Sequence, residues 1–176
     1  MDEHDLTKFQ PFPKIQRLFR EVIITEKLDG TNAQVAVSDD GETVRAGSRK
    51  RWITPESDNF GFARWVHDNA EELKRLGPGR HFGEWWGAGI QRGYGLSERC
   101  FSLFNVTRWA EDRPACCGVV PTLYKGVFSE EVLCHALNLL RREGSVAAPG
   151  FMKPEGIIVF HVRAAVPFKC TLEGDG

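Results

Sequence analysis

No two cysteines in this 176-residue sequence are spaced CxxC, and their number, five, is odd. The missing spacing argues against a zinc ribbon, and the odd count excludes a framework in which every thiol pairs within the chain. Cys116 and Cys117 are neighbours, whereas Cys100, Cys134 and Cys170 lie far apart; reduced thiols and a cytoplasmic location are the expectation. Long apolar runs are also missing. Nothing approaches the roughly 18 apolar residues that span a bilayer, and the start, MDEHDLTKFQPF, is polar and acidic without the apolar stretch of a secretory signal. Nor is there an excess of charge: 23 basic residues stand against 24 acidic ones, for a net charge of -1. A protein that grips nucleic acid over a long footprint needs a cation for each phosphate. Any such surface here is a local patch on a neutral body, with weak, salt-sensitive binding. No repeat, low-complexity tract or linker divides the chain, so a single domain over 1–176 is expected, with no room for an accessory domain. What is present, 41% hydrophobic and 11% aromatic residues, is enough for a sizeable core and too much for intrinsic disorder.

The pattern along the chain is mostly strand-like. Residues 21–26 (EVIITE) have the β-branched content of a strand and run into Lys27-Leu28-Asp29-Gly30. Residues 32–38 alternate, reach the turn signal Asp39-Asp40-Gly41, and return over 42–48. Phe62, Trp65, Val66, Leu73 and Leu76 at helical spacing predict a helix capped by Ser57 or Asp58 and stopped by Gly77-Pro78-Gly79. Strands are expected over 80–86 and 100–106, separated by a glycine-rich segment. A second helix should run from the N-cap Ser129 to Glu143, burying Val132, Leu133, Ala136, Leu137 and Leu140, with Gly144 as the stop. Two last strands are expected over 156–162 and 164–172. Many short strands with two unevenly placed helices predict an α+β domain of largely antiparallel sheets with flanking helices.

Four charged residues stand at or in these strands: Lys27 after EVIITE, Glu84 inside HFGEWWG, Glu155 just before GIIVF, and Lys169 in VPFKCT. A carboxylate inside an aromatic strand needs a partner. Each could be an ordinary surface ion pair; their order and strand placement together point to one site.

These segments resemble, in chain order from about residue 14 to the end, the covalent nucleotidyltransferases, which comprise the ATP-dependent RNA and DNA ligases and the mRNA capping enzymes, and most closely the RNA ligase branch. EKLDGTN resembles the nucleophile motif. The resemblance implies that Lys27 takes up AMP, that Asp29 and Gly30 shape the turn, that Glu26 lies beside the adenine, and that Asn32 approaches the phosphates. SRKR resembles the next motif, with Arg49 on ribose or phosphate. FGEWWG resembles the third, with Glu84 on a ribose hydroxyl, and FSLFNV the segment whose Phe104 stacks on adenine. PEGIIVF resembles the fourth, with Glu155 near a divalent ion, Mg²⁺ or Mn²⁺, held through water. FKCT resembles the fifth, with Lys169 on the α-phosphate. The implied fold is the ligase adenylation domain, the nucleotide is ATP, and the partner is a nucleic acid with 5′-phosphate and 3′-hydroxyl ends, RNA ahead of DNA.

Elementary chemistry agrees with these roles. An amine attacks phosphorus only when neutral, and a free lysine of pKa about 10.4 is neutral in roughly one molecule in 2,500 at pH 7, a deficit of about 4.6 kcal/mol. Neighbouring cations and burial favour the neutral amine and neutralise charge developing on the phosphates. Two features depart from the family. Where much of it carries a second lysine in the fifth motif, this sequence has Thr171, which bears on AMP transfer and sealing more than on lysine adenylylation. Larger relatives carry an accessory domain, which leaves three readings open: a minimal ligase, one that borrows a protein partner's domain, or a shortened product. A DNA nick ligase, a GTP-using capping enzyme and a nucleotide- or RNA-binding module that has lost sealing are the competing functions. Arg49, Arg51, Arg80 and Arg92 are the candidate phosphate-binding patch, and His4, Lys14, Arg17 and Arg20 read as solvated surface ahead of the alternative, contacts to the triphosphate or a 5′-phosphate.

Overall fold

The computed structural model describes residues 7–174; His4 lies outside them. Among these residues ten strands form two sheets, each covered on one face by some of four α-helices. The first sheet has the order β10 (Val166–Thr171), β9 (Gly156–His161), β1 (Glu21–Lys27), β8 (Thr122–Val127), all neighbours antiparallel. The second runs β4 (Trp52–Ile53), β3 (Val44–Ser48), β2 (Thr31–Val37), β5 (Gly79–Gly87), β6 (Arg99–Leu103), β7 (Cys117–Val119); only its β6–β7 pair is parallel. The α+β, largely antiparallel architecture is as expected.

Strand alternation decides what each face holds. In β1, Val22 and Ile24 are buried with Ile157 and Val159 of β9 against Ala136 and Leu140 of α4 (Glu130–Glu143). In β2, Ala33, Val35 and Val37 face the other core, with Trp85, Phe101 and Leu103, under Phe62, Ala63 and Val66 of α1 (Phe62–Asp68) and Leu73 of α2 (Ala70–Leu73). A third cluster, Leu28, Trp86, Tyr94, Val120 and Ala148, locks the two sheets together where β1 turns into β2. The faces left without helices carry Lys27 and Lys169 on one sheet and Asn32 and Glu84 on the other, and the Leu28–Gly30 turn joins them.

The helices show which local signals suffice. Ser129 accepts from Val132 N at 3.2 Å and Gly144 adopts φ 82°, so α4 starts and stops where its caps predict. The first predicted helix is instead broken. It begins at Phe62 after Gly61 in the left-handed region, although Asp58 still caps it at a distance, accepting from Ala63 N (2.7 Å) and Arg64 N (3.1 Å). At Asn69 the backbone leaves the helix and the side chain bonds back to Trp65 O, so α2 and a 3-10 turn (Lys74–Leu76) follow as separate pieces. The expected strand over 100–106 ends at Leu103, because Asn105 caps the one-turn helix α3 (Val106–Trp109). No helix among the described residues is long and apolar enough to cross a membrane.

Candidate active site

The site is assembled around the turn that leaves β1. Lys27 is the last residue of that strand, and its Nζ forms an ion pair with Oε2 of Glu155, the residue preceding β9. The register explains the meeting: Lys27 lies opposite Gly156, and Gly156 lies opposite Thr171 on β10. Both partners are mostly shielded from solvent. A Cβ on Gly156 would run into the Cys170 carbonyl oxygen, so the row that places Glu155 requires glycine there.

Beyond Lys27 the turn is fastened by side chains from the glycine-rich 87–95 segment. Asp29 N donates to the Tyr94 hydroxyl at 2.8 Å, and Arg92 Nε donates to Asp29 Oδ2 at 2.9 Å. Arg92 also reaches the Lys153 carbonyl and both oxygens of Glu173. One guanidinium thus ties the Lys27 turn to the Glu155 approach and to the end of β10. Tyr94 adopts φ 54°, a left-handed value costly for a large residue, which is maintained where packing over-determines it. Its ring is buried against Trp86 and Phe151.

Gly30 N donates to Glu84 Oε1 at 3.1 Å. A Cβ on Gly30 would strike the Trp85 carbonyl oxygen and lie 2.7 Å from Trp86 Cβ. Gly30→Ala is therefore expected to push the turn off Glu84 and displace Lys27. A displacement near 1 Å is enough to lower catalysis about 100-fold, measurable as the rate of covalent labelling by ATP. Burial pushes the Glu84 carboxyl up to about 7, Glu155 and Asp29 add to that, and the Gly30 N–H and the Lys27 charge oppose it. An acid whose pKa is higher folded than unfolded stabilises the fold at low pH. That contribution is full below about 4.5 and is lost as pH rises through 7. The unfolding free energy of the ligand-free protein, measured by denaturant titration, should fall over that window by on the order of 3 kcal/mol; Glu84→Gln should flatten the profile.

Other predicted residues are distributed as the strands dictate. Asn32 pairs in register with Glu84 on the uncovered face. Lys169 is exposed on β10, opposite Ile158, on the same face as Lys27 and two positions before Thr171. Phe104 is 40% exposed and its N–H donates to the Phe82 carbonyl, which extends the β5–β6 pairing by one step. Arg49 is exposed in the bend after β3. Glu26 lies on the other face of β1. Alternation turns it away from Lys27 toward the α4 side, where it is 1% exposed. Its Oε1 accepts from Ser145 Oγ at 2.5 Å and its Oε2 from the Val146 and Ala147 amides at 2.9 Å each. Its carboxylate holds the loop after α4 rather than standing open beside the Lys27 turn. The four-arginine patch also divides: Arg92 is bound as described, Arg51 donates to Ser57 and the Trp52 carbonyl, and Arg80 lies over the Trp52 ring. Lys14, Arg17 and Arg20 are exposed, as expected.

With that geometry in view, comparison with known proteins is decisive. The family model described as RNA ligase matches residues 20–171. The chain belongs to the RNA ligase family. No curated protein matches it in sequence. Solved structures of a Naegleria gruberi RNA ligase share the fold. A mutant with ATP and Mn aligns with TM-score 0.66 and 19% identity, over 88% of this chain and 50% of that one. A mutant with AMP and Mn gives 0.64 and 20%, over 89% and 51%, and an apo mutant 0.64 and 20%, over 88% and 50%. The chain therefore spans about half the length of these ligases.

For an RNA ligase domain, the donor set around Lys27 is informative. Among the described residues no three histidine, cysteine or carboxylate side chains gather as a metal cage. Glu155 and Glu84 instead place two carboxylates near the amine, which fits a hard divalent ion held mainly by water and phosphate oxygens. The residues missed from sequence are Tyr94 and Ser145. Tyr94 stands in a glycine run with no strand or helix period to mark it, and Ser145 meets Glu26 across 119 positions.

Proposed function

We propose that this domain is the adenylylating core of an ATP-dependent RNA ligase. The observation that carries the reading is the placement of the Lys27 amine, fixed at a strand end against Glu155, beside Glu84 and Gly30. In the first step Lys27 Nζ attacks the α-phosphorus of ATP. An N–P bond forms, the bond to pyrophosphate breaks, and the proton on nitrogen passes to a base; Glu155, already in contact, is the nearest acceptor. A divalent ion, Mg²⁺ or Mn²⁺, bound with the nucleotide would neutralise phosphate charge. Its pull on Glu155 would loosen the hold of that carboxylate on the amine. Lys169, on the Lys27 face, supplies a cation toward the α-phosphate, Asn32 and Arg49 contact phosphate or ribose, Glu84 the ribose hydroxyl, and Phe104 offers adenine an exposed ring. In the second step a 5′-phosphate oxygen takes the AMP from Lys27. In the third a 3′-hydroxyl attacks that phosphate and AMP leaves, joining the strands.

The setting proposed is RNA repair in the cytoplasm, which the five free cysteines suit. A protein partner supplying an accessory domain for the later steps is part of the proposal. The second reading, a domain that adenylylates or binds nucleotide but does not seal, is favoured by one observation: Thr171 stands in the row of Lys27 and Gly156 where much of the family has a second lysine. Sealing assays on matched RNA and DNA nicks separate the readings. RNA joining supports the proposal, DNA joining alone makes it a DNA ligase, and lysyl-AMP formation without joining selects the second reading.

A further inference from the structure

On the helix-free face of the second sheet, the register lines side chains into rows that lead away from Glu84. Asn32 and Glu84 form the first row. The next crosses four strands and reaches Phe104 just past the end of β6: Phe104 beside Phe82, Phe82 opposite Gln34, Gln34 opposite Gly47, Gly47 opposite Trp52. A Cβ at Gly47 would lie 2.7 Å from Gln34 Cγ, so the glycine lets the Gln34 side chain lie across the row. In the third row Arg80 and Arg45 flank Ala36. Both guanidinium groups stack on the Trp52 ring, at 4.5 Å for Arg45 and 5.4 Å for Arg80. The hollow there, about 250 Å³, is also lined by Ser38, Thr43 and Asp39 at the hairpin end.

Three properties of this surface point to one occupant. Among the described residues neither guanidinium forms an ion pair or hydrogen bond with a protein group, so their donors are oriented by the indole and left for an outside acceptor. Phe82 is 48% exposed and Trp52 37% exposed, large rings left open on the helix-free face. From Glu84 to Arg80 along β5 is about 13 Å at roughly 3.3 Å per residue, a span of a few nucleotides. Paired cations with an exposed ring between them and the catalytic row suit a phosphate chain whose bases are unstacked; a duplex would offer the cations its phosphates but give the ring no free base.

We propose that the Phe82 and Arg45–Trp52–Arg80 surface is a track for a single-stranded stretch of the polynucleotide substrate. A base rests on Phe82, and the guanidinium pair takes a phosphate a few nucleotides from the site of AMP transfer. This rests on the ligase reading and adds to it the form of the substrate and the residues that read it.

The test is fluorescence anisotropy with 5′-phosphorylated single-stranded RNA of three, six and twelve nucleotides, and with the twelve-mer as a duplex. Wild type, Phe82→Ala, Arg45→Ala/Arg80→Ala and Arg45→Lys/Arg80→Lys are compared at several salt concentrations, each also labelled with α-labelled ATP. Wild type should prefer the single strand and gain affinity between three and six nucleotides. Phe82→Ala should bind the longer strands about tenfold more weakly. The double alanine variant should lose the gain with length, and its plot of log affinity against log salt should become shallower by about 0.7 for each phosphate it no longer neutralises. The double lysine variant should keep most of the salt dependence. Every variant should still label at Lys27. Wild-type affinity in the alanine variants, preference for the duplex, or loss of labelling along with RNA binding overturns the proposal. A wild-type protein that never labels fails the ligase reading instead.

Discussion

A Lys27→Arg variant is expected to form no covalent AMP adduct. Arginine keeps a cation against Glu155, so the ion pair that positions β1 against β9 survives and the fold with it. It cannot supply the nucleophile. Its guanidinium holds its proton far more tightly than a lysine ammonium at any working pH, and its charge is delocalised over three nitrogens. Labelling with α-labelled ATP should therefore fall below detection while the thermal midpoint stays near that of wild type. Lys27→Ala should also abolish labelling, but it leaves Glu155 shielded and without its cation. The arginine variant is thus the cleaner separation of chemistry from stability. Residual labelling of the arginine variant would mean that another residue is the acceptor.

Replacing Glu26 with alanine is expected to destabilise the domain by about 2–4 kcal/mol, since three donors at once lose a buried acceptor. The Ser145 hydroxyl and the Val146 and Ala147 amides all converge on that carboxylate, 119 to 121 positions away in sequence. Desolvation raises the pKa of Glu26 and the three hydrogen bonds oppose the rise. A carboxylate gathered by backbone amides in this way is a structural tie. Urea unfolding should show the loss as a lower midpoint with an unchanged slope. A variant as stable as wild type but with weakened ATP binding would restore Glu26 to the adenine.

The difference between what was legible and what was not follows from distance along the chain. The helix from Ser129 to Gly144 is written in its own caps, and the Lys27 turn in five consecutive residues, so both emerge from the sequence alone. The pairing of Lys27 with Glu155 was approachable because each residue ends or precedes an apolar strand. By contrast, β7 and β8 left little signal. In CGVVPTLYKGV a proline separates two short strands, and β8 lies at a sheet edge, where alternation is weak. Pro121 nonetheless contributes, because its carbonyl accepts from Glu26 N where the β1–β8 register slips. The arginines show the same limit. Their number suggested one phosphate patch, but only the register reveals that Arg80 meets Arg45 on Trp52 while Arg92 is committed to Asp29 and Glu173.

Lys27 is the residue proposed to take AMP from ATP. The most direct test of that role is to incubate the protein and a divalent ion with ATP labelled at the α-phosphate or at the γ-phosphate, denature, and map the labelled peptide. A covalent label from the α-position only, removed by added pyrophosphate and located on Lys27, is expected. No label in folded protein free of prior adenylate, or a label on any other residue, would contradict it.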